Sequence, residues 1–80
     1  MTEEESNLYE HIWMHRFRDN LFRLMWNEGL TVKELADRTG ISQSTIDKWL
    51  YYDVCPSAYN IVRIARGLGC PITDVIDYFY

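Results

Sequence analysis

The sequence predicts an all-α protein, a compact bundle of five helices with an extended N-terminal helix. Three observations predict this class. Apolar residues recur at intervals of three and four, N-cap residues precede the periodic segments, and the connections between segments span only about two to six residues. With 48% hydrophobic residues, two prolines and four glycines in 80 positions, the composition favours one small folded domain over a disordered chain.

The first helix is predicted to run to about Asn27 and to end at Gly29, a residue suited to a left-handed C-terminal conformation. Its apolar face is formed by residues spaced four and three apart: Tyr9, Trp13, Phe17, Leu21 and Leu24. Residues 1–15 are interpreted as an acidic N-terminal extension, helical and continuous with helix 1, and residues 16–80 as the main domain. The spacing also allows a break near His15.

The second helix is predicted from the capping box Thr31-Val32-Lys33-Glu34, in which the first and last side chains bond each other's backbone. It ends at Gly40. Only three or four residues separate it from the next helix, so the two helices must cross steeply. This crossing requires a small residue at Ala36 and a positive φ at Gly40.

Helix 3 is expected to begin after Ser42, its N-cap. A helical wheel places Thr45, Ile46 and Trp49 on the inward side. The opposite side is polar and available to water or to a groove, and it carries Gln43, Ser44, Asp47, Lys48 and Tyr51.

Helix 4 is predicted to start at Pro56-Ser57 and to end at Gly67 or Gly69. Its apolar face comprises Ile61, Val62, Ile64, Ala65 and Leu68. Pro71 is placed in the first turn of helix 5, where a missing N–H costs little. That helix is expected to pack inward through Val75, Ile76 and Phe79.

The charge is acidic overall but unevenly distributed. Eight basic and twelve acidic residues give a net charge of −4. Four of the acids lie within residues 1–10, so the remainder is neutral. A neutral body differs from the basic surface usual in DNA-binding domains.

Several other classes are disfavoured. The sequence shows neither a secretory signal nor an apolar stretch of membrane-spanning length, which indicates a cytoplasmic protein. Cys55 and Cys70 flank a predicted helix about 15 Å long, so we expect reduced thiols rather than a disulfide. His11 and His15 lack a third metal ligand, and no catalytic set is visible. We therefore expect no cofactor, no metal and no enzymatic activity.

The segment from Gly29 to Trp49, GLTVKELADRTGISQSTIDKW, resembles the lambda-repressor and Cro-like (XRE) family of helix-turn-helix proteins. Pro56-Ser57 and the phrase IARGLG at 64–69 extend this similarity to about residues 17–80. Where that family pairs a buried Arg with a Glu, this chain has Met25 and Leu50. Replacing both partners by apolar residues is tolerated, so we expect these two side chains to touch.

The resemblance implies a double-stranded DNA-binding transcriptional regulator of repressor type, bacterial or phage-borne. It would act as a homodimer with helix 3 in the major groove, without a membrane or small-molecule ligand. The residues it implicates in DNA binding are Gln43, Ser44, Thr45, Lys48, Lys33 and Tyr51. Of these, Gln43 and Ser44 would meet base edges, and Lys48 a phosphate or guanine. Asp47 would either accept a hydrogen bond from cytosine or repel a phosphate.

Several positions depart from the family pattern. Val32 replaces a glutamine that often contacts DNA, and Tyr51 and Tyr52 stand where Arg or Asn and Gly are common. The arginines are interpreted as solvated charges or as DNA contacts: Arg16, Arg18, Arg23, Arg63 and Arg66. An alternative function is therefore a protein–protein interaction module that does not bind DNA.

Aromatic residues exceed what one small core needs: Phe22, Trp26, Tyr51, Tyr52, Tyr78 and Tyr80. Two interpretations stay open. Either these rings form a homodimer surface, or they fold against the domain's own core.

Overall fold

The computed structural model describes the backbone of residues 3–52 and 54–76, and the side chains within those ranges from residue 15 onward. This part of the chain forms five helices and no strand, which confirms the all-α class. The helices are α1 (Glu3–Glu28), α2 (Val32–Thr39), α3 (Gln43–Tyr51), α4 (Ala58–Leu68) and α5 (Ile72–Val75).

The long helix α1 is unbroken through His15. Its 26 residues span about 39 Å at the usual rise per residue, which matches the longest dimension of the molecule, 39 Å. Phe17, Leu21 and Met25 are buried, as the spacing predicts, and the helix ends at Gly29 with a φ of +64°. The more N-terminal positions of the predicted face lie outside the described side chains.

The core gathers apolar residues from all five helices. At its centre the rings of Phe17 and Trp49 meet edge to face, with their centroids 6.0 Å apart. Met25 and Leu50 are both buried in this cluster, in agreement with the register that the sequence suggested. Their direct contact stays a prediction.

The packing of α2 against α4 depends on a close approach at Gly67. A Cβ atom there would lie 2.6 Å from Cγ2 of Thr39. The Thr39 hydroxyl donates to the Leu35 carbonyl (2.8 Å) and accepts from the Ile41 N–H (3.2 Å). Thr39 therefore joins the end of α2, the following turn and α4.

Two details of the C-terminal half differ from expectation. Val62, which the sequence places on the inward face, is 38% exposed. Pro71 precedes α5 as its N-cap instead of lying in its first turn. Of the two predicted ends of α4, the structure has Gly69, with a φ of +68°. Val75 and Ile76 are buried as predicted, whereas Phe79 lies outside the described residues.

The described helices include none that is both long and apolar enough to cross a membrane. Within the same residues, no three His, Cys, Asp or Glu side chains come together as metal ligands would. Cys55 is exposed and Cys70 is half-buried. Burial raises the pKa of the Cys70 thiol, and the negative charges of Asp74 and Glu28 raise it further.

Candidate nucleic-acid interface

The turn between α2 and α3 is held by backbone geometry. Gly40 has a φ of +73°, and its N–H donates to the Ala36 carbonyl over 2.8 Å. A side chain at this position would be strained because φ is positive. The turn therefore sets the angle between the helices, as the sequence predicted.

Arg63 of α4 lies against the same turn. Its Nη2 atom would be 3.0 Å from a Cβ placed on Gly40. The guanidinium is held by a hydrogen bond from Nη1 to Oδ1 of Asn60 (3.3 Å) and stacks 5.4 Å from the ring centroid of Tyr59. Arg63 is thus a structural contact of the turn and not a solvated charge.

The start of α3 is capped by Ser42. Its Oγ accepts from the Thr45 N–H (3.3 Å), and the hydroxyl oxygens of Ser42 and Thr45 are 2.8 Å apart. The hydroxyl oxygen of Ser44 lies 3.3 Å from Oγ of Ser42. These bonds fix the first turn of α3, the part of the helix expected to meet base edges.

The inward side of α3 anchors it to the bundle. Ile46, Trp49 and Leu50 are buried. At the far end, the half-buried Arg18 donates from Nε to the Trp49 carbonyl over 3.2 Å, so a cation from α1 satisfies a carbonyl in the last turn of α3. Interpreting Arg18 as a solvated charge was wrong, because its guanidinium is part-buried and bonded to α3. The sequence shows no local sign of this bond, since it joins residues 31 positions apart.

The outward side of α3 carries most of the predicted site residues together. Gln43, Ser44, Lys48 and Tyr51 are exposed, and Thr45 is half-buried because it faces the Ser42 cap. Tyr51 stands at the end of this row, where its ring meets Phe22 edge to face at 6.1 Å. The polar start of α3 is therefore open to solvent.

Lys33 lies apart from that row, exposed in the first turn of α2. Oε1 of Glu34 accepts hydrogen bonds from the Thr31 N–H (3.1 Å) and hydroxyl (3.0 Å). These bonds hold the pKa of Glu34 below its usual value, the backbone bond having the larger effect. A carboxylate thus occupies part of the helix start that a phosphate would use, and the charge of Lys33 is opposed locally.

A shallow groove of about 510 Å³ runs beside α3. It is lined by Ser44, Asp47, Lys48, Tyr52 and Val54. The groove combines an acid and a base on consecutive residues with an apolar wall. The sequence did not reveal it, because the loop after α3 supplies that wall.

Exposed aromatic side chains stand in the C-terminal part of α1 and at the end of α3. Trp26 is 86% exposed, Phe22 is 40% exposed, and Tyr51 and Tyr52 are each 64% exposed. The alternative that these rings fold against the domain's own core is therefore wrong for Trp26 and both tyrosines. Tyr59, at 71%, is a further exposed ring that the sequence analysis missed. Tyr78 and Tyr80 lie outside the described residues.

Comparison with known proteins supports the same architecture. The helix-turn-helix family model HTH_3 matches residues 22–75, which span the end of α1 and all of α2, α3, α4 and α5. No curated protein and no solved structure matches the chain.

Proposed function

Because this chain belongs to the lambda-repressor and Cro-like family of helix-turn-helix proteins, whose members are DNA-binding regulators, we propose that it binds specific sequences in double-stranded DNA through α3. The observation that supports this most is the division of α3 into two sides. Three large apolar residues pack its inner side into the core, while its outer side presents polar side chains to solvent. Such a rigid helix suits insertion into the major groove.

Each outward side chain has a role that its chemistry allows. Gln43 can bond adenine through both N6 and N7, and Ser44 can donate or accept. The Thr45 hydroxyl is occupied by Ser42, which leaves its methyl group for a thymine methyl. Lys48 can donate to a phosphate or to guanine, and the Tyr51 hydroxyl can bond to the DNA backbone.

Lys33 is assigned to a phosphate near the start of α2. The neighbouring Glu34 carboxylate weakens this contact, so we expect Lys33 to contribute less to affinity than Lys48. With a net charge of −4, the protein has little sequence-independent attraction to DNA. Its binding then relies on base contacts more than is usual for the family.

The proposed regulator acts as a homodimer and as a repressor that blocks a promoter by occupying it. The exposed rings of Phe22, Trp26 and Tyr51 support the dimer, since aromatic residues are enriched at the cores of interfaces. Twofold pairing would place two copies of α3 on half-sites about one helical turn apart.

A selection of genomic DNA fragments at low salt tests the proposal directly. We expect an enriched sequence with twofold symmetry, and an affinity that falls as salt rises. Gln43→Ala should change which base is preferred at one position. Lys48→Ala should lower affinity. If Lys48 contacts a phosphate, that loss is the same for all sequences, and the slope of log affinity against log salt concentration falls by about one. Asn27→Ala, an exposed amide at the end of α1, is the matched control and should change neither.

The exposed rings also favour a second function, a protein–protein interaction module on the same fold. In that case the selection returns no enriched sequence, and Trp26→Ala, rather than Gln43→Ala, abolishes binding to the partner. If the DNA proposal is correct, Trp26→Ala weakens self-association while a single half-site is still recognised.

A further inference from the structure

We propose that Asp47 and Lys48, acting together in the groove beside α3, select a C·G base pair. This inference rests on the proposed DNA-binding function and names a specificity that it leaves open. The two residues are consecutive and both line the groove, so a hydrogen-bond acceptor and a cationic donor stand side by side facing the same space.

Neither charge is used within the part of the chain that the structure describes. No hydrogen bond or ion pair is formed there by the Asp47 carboxylate or the Lys48 ammonium. As residues, Asp47 is half-buried and Lys48 is exposed, and both line the groove. A carboxylate that meets no donor from the protein favours a ligand that supplies one.

The major-groove edge of a C·G pair supplies the complementary groups. Cytosine presents its N4 amino donor, and guanine presents the acceptors O6 and N7 next to it. Asp47 would accept from cytosine N4 while Lys48 donates to guanine. A T·A pair would instead turn the thymine O4 acceptor toward the carboxylate, which repels it.

The negative charge of Asp47 explains why this residue would affect the choice of base pair more than the overall affinity for DNA. A carboxylate near the DNA backbone lowers affinity for every sequence, because it repels phosphates. It becomes favourable only where a base offers a donor. Asp47 therefore penalises wrong sequences, which is one of the two ways in which specificity arises.

The wall of the groove restricts how that base pair can sit. Tyr52 and Val54 line the side formed by the loop, and both side chains are exposed, at 64% and 42%. Apolar groups there exclude water from the carboxylate once DNA is bound, which strengthens its hydrogen bond. The Val54 side chain offers no donor or acceptor that would compete with the base pair.

The test is a selection of randomised duplexes by the full chain and by Asp47 variants, followed by affinity measurements on the selected site with each base pair at the affected position. For the wild type we expect C·G at one position of each half-site, favoured about 5- to 150-fold over T·A. Asp47→Ala should remove that preference and at the same time raise affinity for unrelated DNA. Asp47→Asn should shift the preference toward adenine, to which an amide bonds twice.

Asp19→Ala is the matched control. It removes one exposed acid from α1, so it can raise affinity for unrelated DNA through charge alone but should leave base preference unchanged. Circular dichroism of each variant verifies folding. A wild-type motif that Asp47→Ala leaves unaltered, or a relaxed position occupied by a pair other than C·G, overturns the inference alone. The absence of any motif overturns the proposed function with it.

Discussion

At the scale of single residues, Asn20 and Glu34 show how one polar group can fix a helix. Asn20 is 6% exposed on the apolar side of α1, and its Nδ2 donates to the Val75 carbonyl over 3.2 Å. This bond joins α1 to α5 across 55 positions of sequence. Glu34 acts locally, through the capping box at the start of α2.

Asn20→Ala should lower the free energy of unfolding by about 1–3 kcal/mol, because it leaves the buried Val75 carbonyl without its donor. In a domain of this size each kcal/mol lowers the Tm by about 4–8 °C. Urea titration and thermal melting measure both quantities. Asn27→Ala, on the exposed end of α1, should stay near wild type. Equal effects of the two substitutions would contradict the role given to Asn20.

Glu34→Gln should reduce the pH dependence of stability on the acid side. The pKa of Glu34 is lowered in the folded protein, so its ionised form stabilises the fold above the unfolded-state pKa. That stability is lost as the pH falls below the usual value of 4.5 and through the lowered folded-state value. Stability curves from pH 7 to pH 2 should therefore fall less steeply for the Gln variant. Parallel curves would show that the capping carboxylate does not contribute.

At the scale of helices, the angle of α3 depends on the packing of α2 and α4 around the turn. Gly67 allows the two helices to approach at Thr39, and Arg63 covers Gly40 from the α4 side. Neither contact touches DNA in the proposed function. Both determine where the outward face of α3 points.

Gly67→Ala should destabilise the protein by about 1–3 kcal/mol through overpacking, although alanine in an exposed helix ordinarily stabilises. The reason is the 2.6 Å approach of the new Cβ to the Thr39 methyl group. Chemical denaturation gives the magnitude.

The Thr39→Ser background provides the control for that prediction. Serine keeps the hydroxyl bonds to Leu35 and Ile41 and removes the methyl group, so Gly67→Ala should become neutral or stabilising there. If the substitution costs the same free energy in both backgrounds, the clash with Thr39 is not its cause.

At the scale of the whole molecule, the distribution of charge opposes non-specific DNA binding. The acidic start of the chain belongs to α1, which extends as one helix from Glu3 to Glu28. Negative charges on this helix act at a distance on any approaching phosphate backbone. The neutral remainder of the chain does not compensate for them.

Replacing Glu3, Glu4 and Glu5 together by Gln should raise affinity for unrelated DNA, because the substitutions remove three negative charges. The gain should be largest at low salt and should disappear as salt screens the charges. Fluorescence anisotropy with a random duplex across a salt series measures this. A gain that persists at high salt would indicate a direct contact instead.

Much of the fold follows from signals that act within about four residues. The caps at Thr31 and Ser42 and the turn at Gly40 are present as the sequence indicated. Ser57, predicted at the start of helix 4, is the N-cap of that helix. Side chains and backbone groups in such motifs are neighbours in sequence, so their bonds form whenever the helix forms. The outward row of α3 follows from the same helical geometry.

Contacts between distant parts of the chain could not be read in this way. Only the tertiary structure shows that Asn20 bonds α5. The same holds for the contacts of Arg18 with α3 and of Arg63 with the turn before it. It also holds for the groove that Val54 lines together with Asp47. The residues next to a polar side chain on a helix do not indicate which distant group it will bond. Which groups become partners is decided by the crossing of helices, and therefore by packing of the entire core.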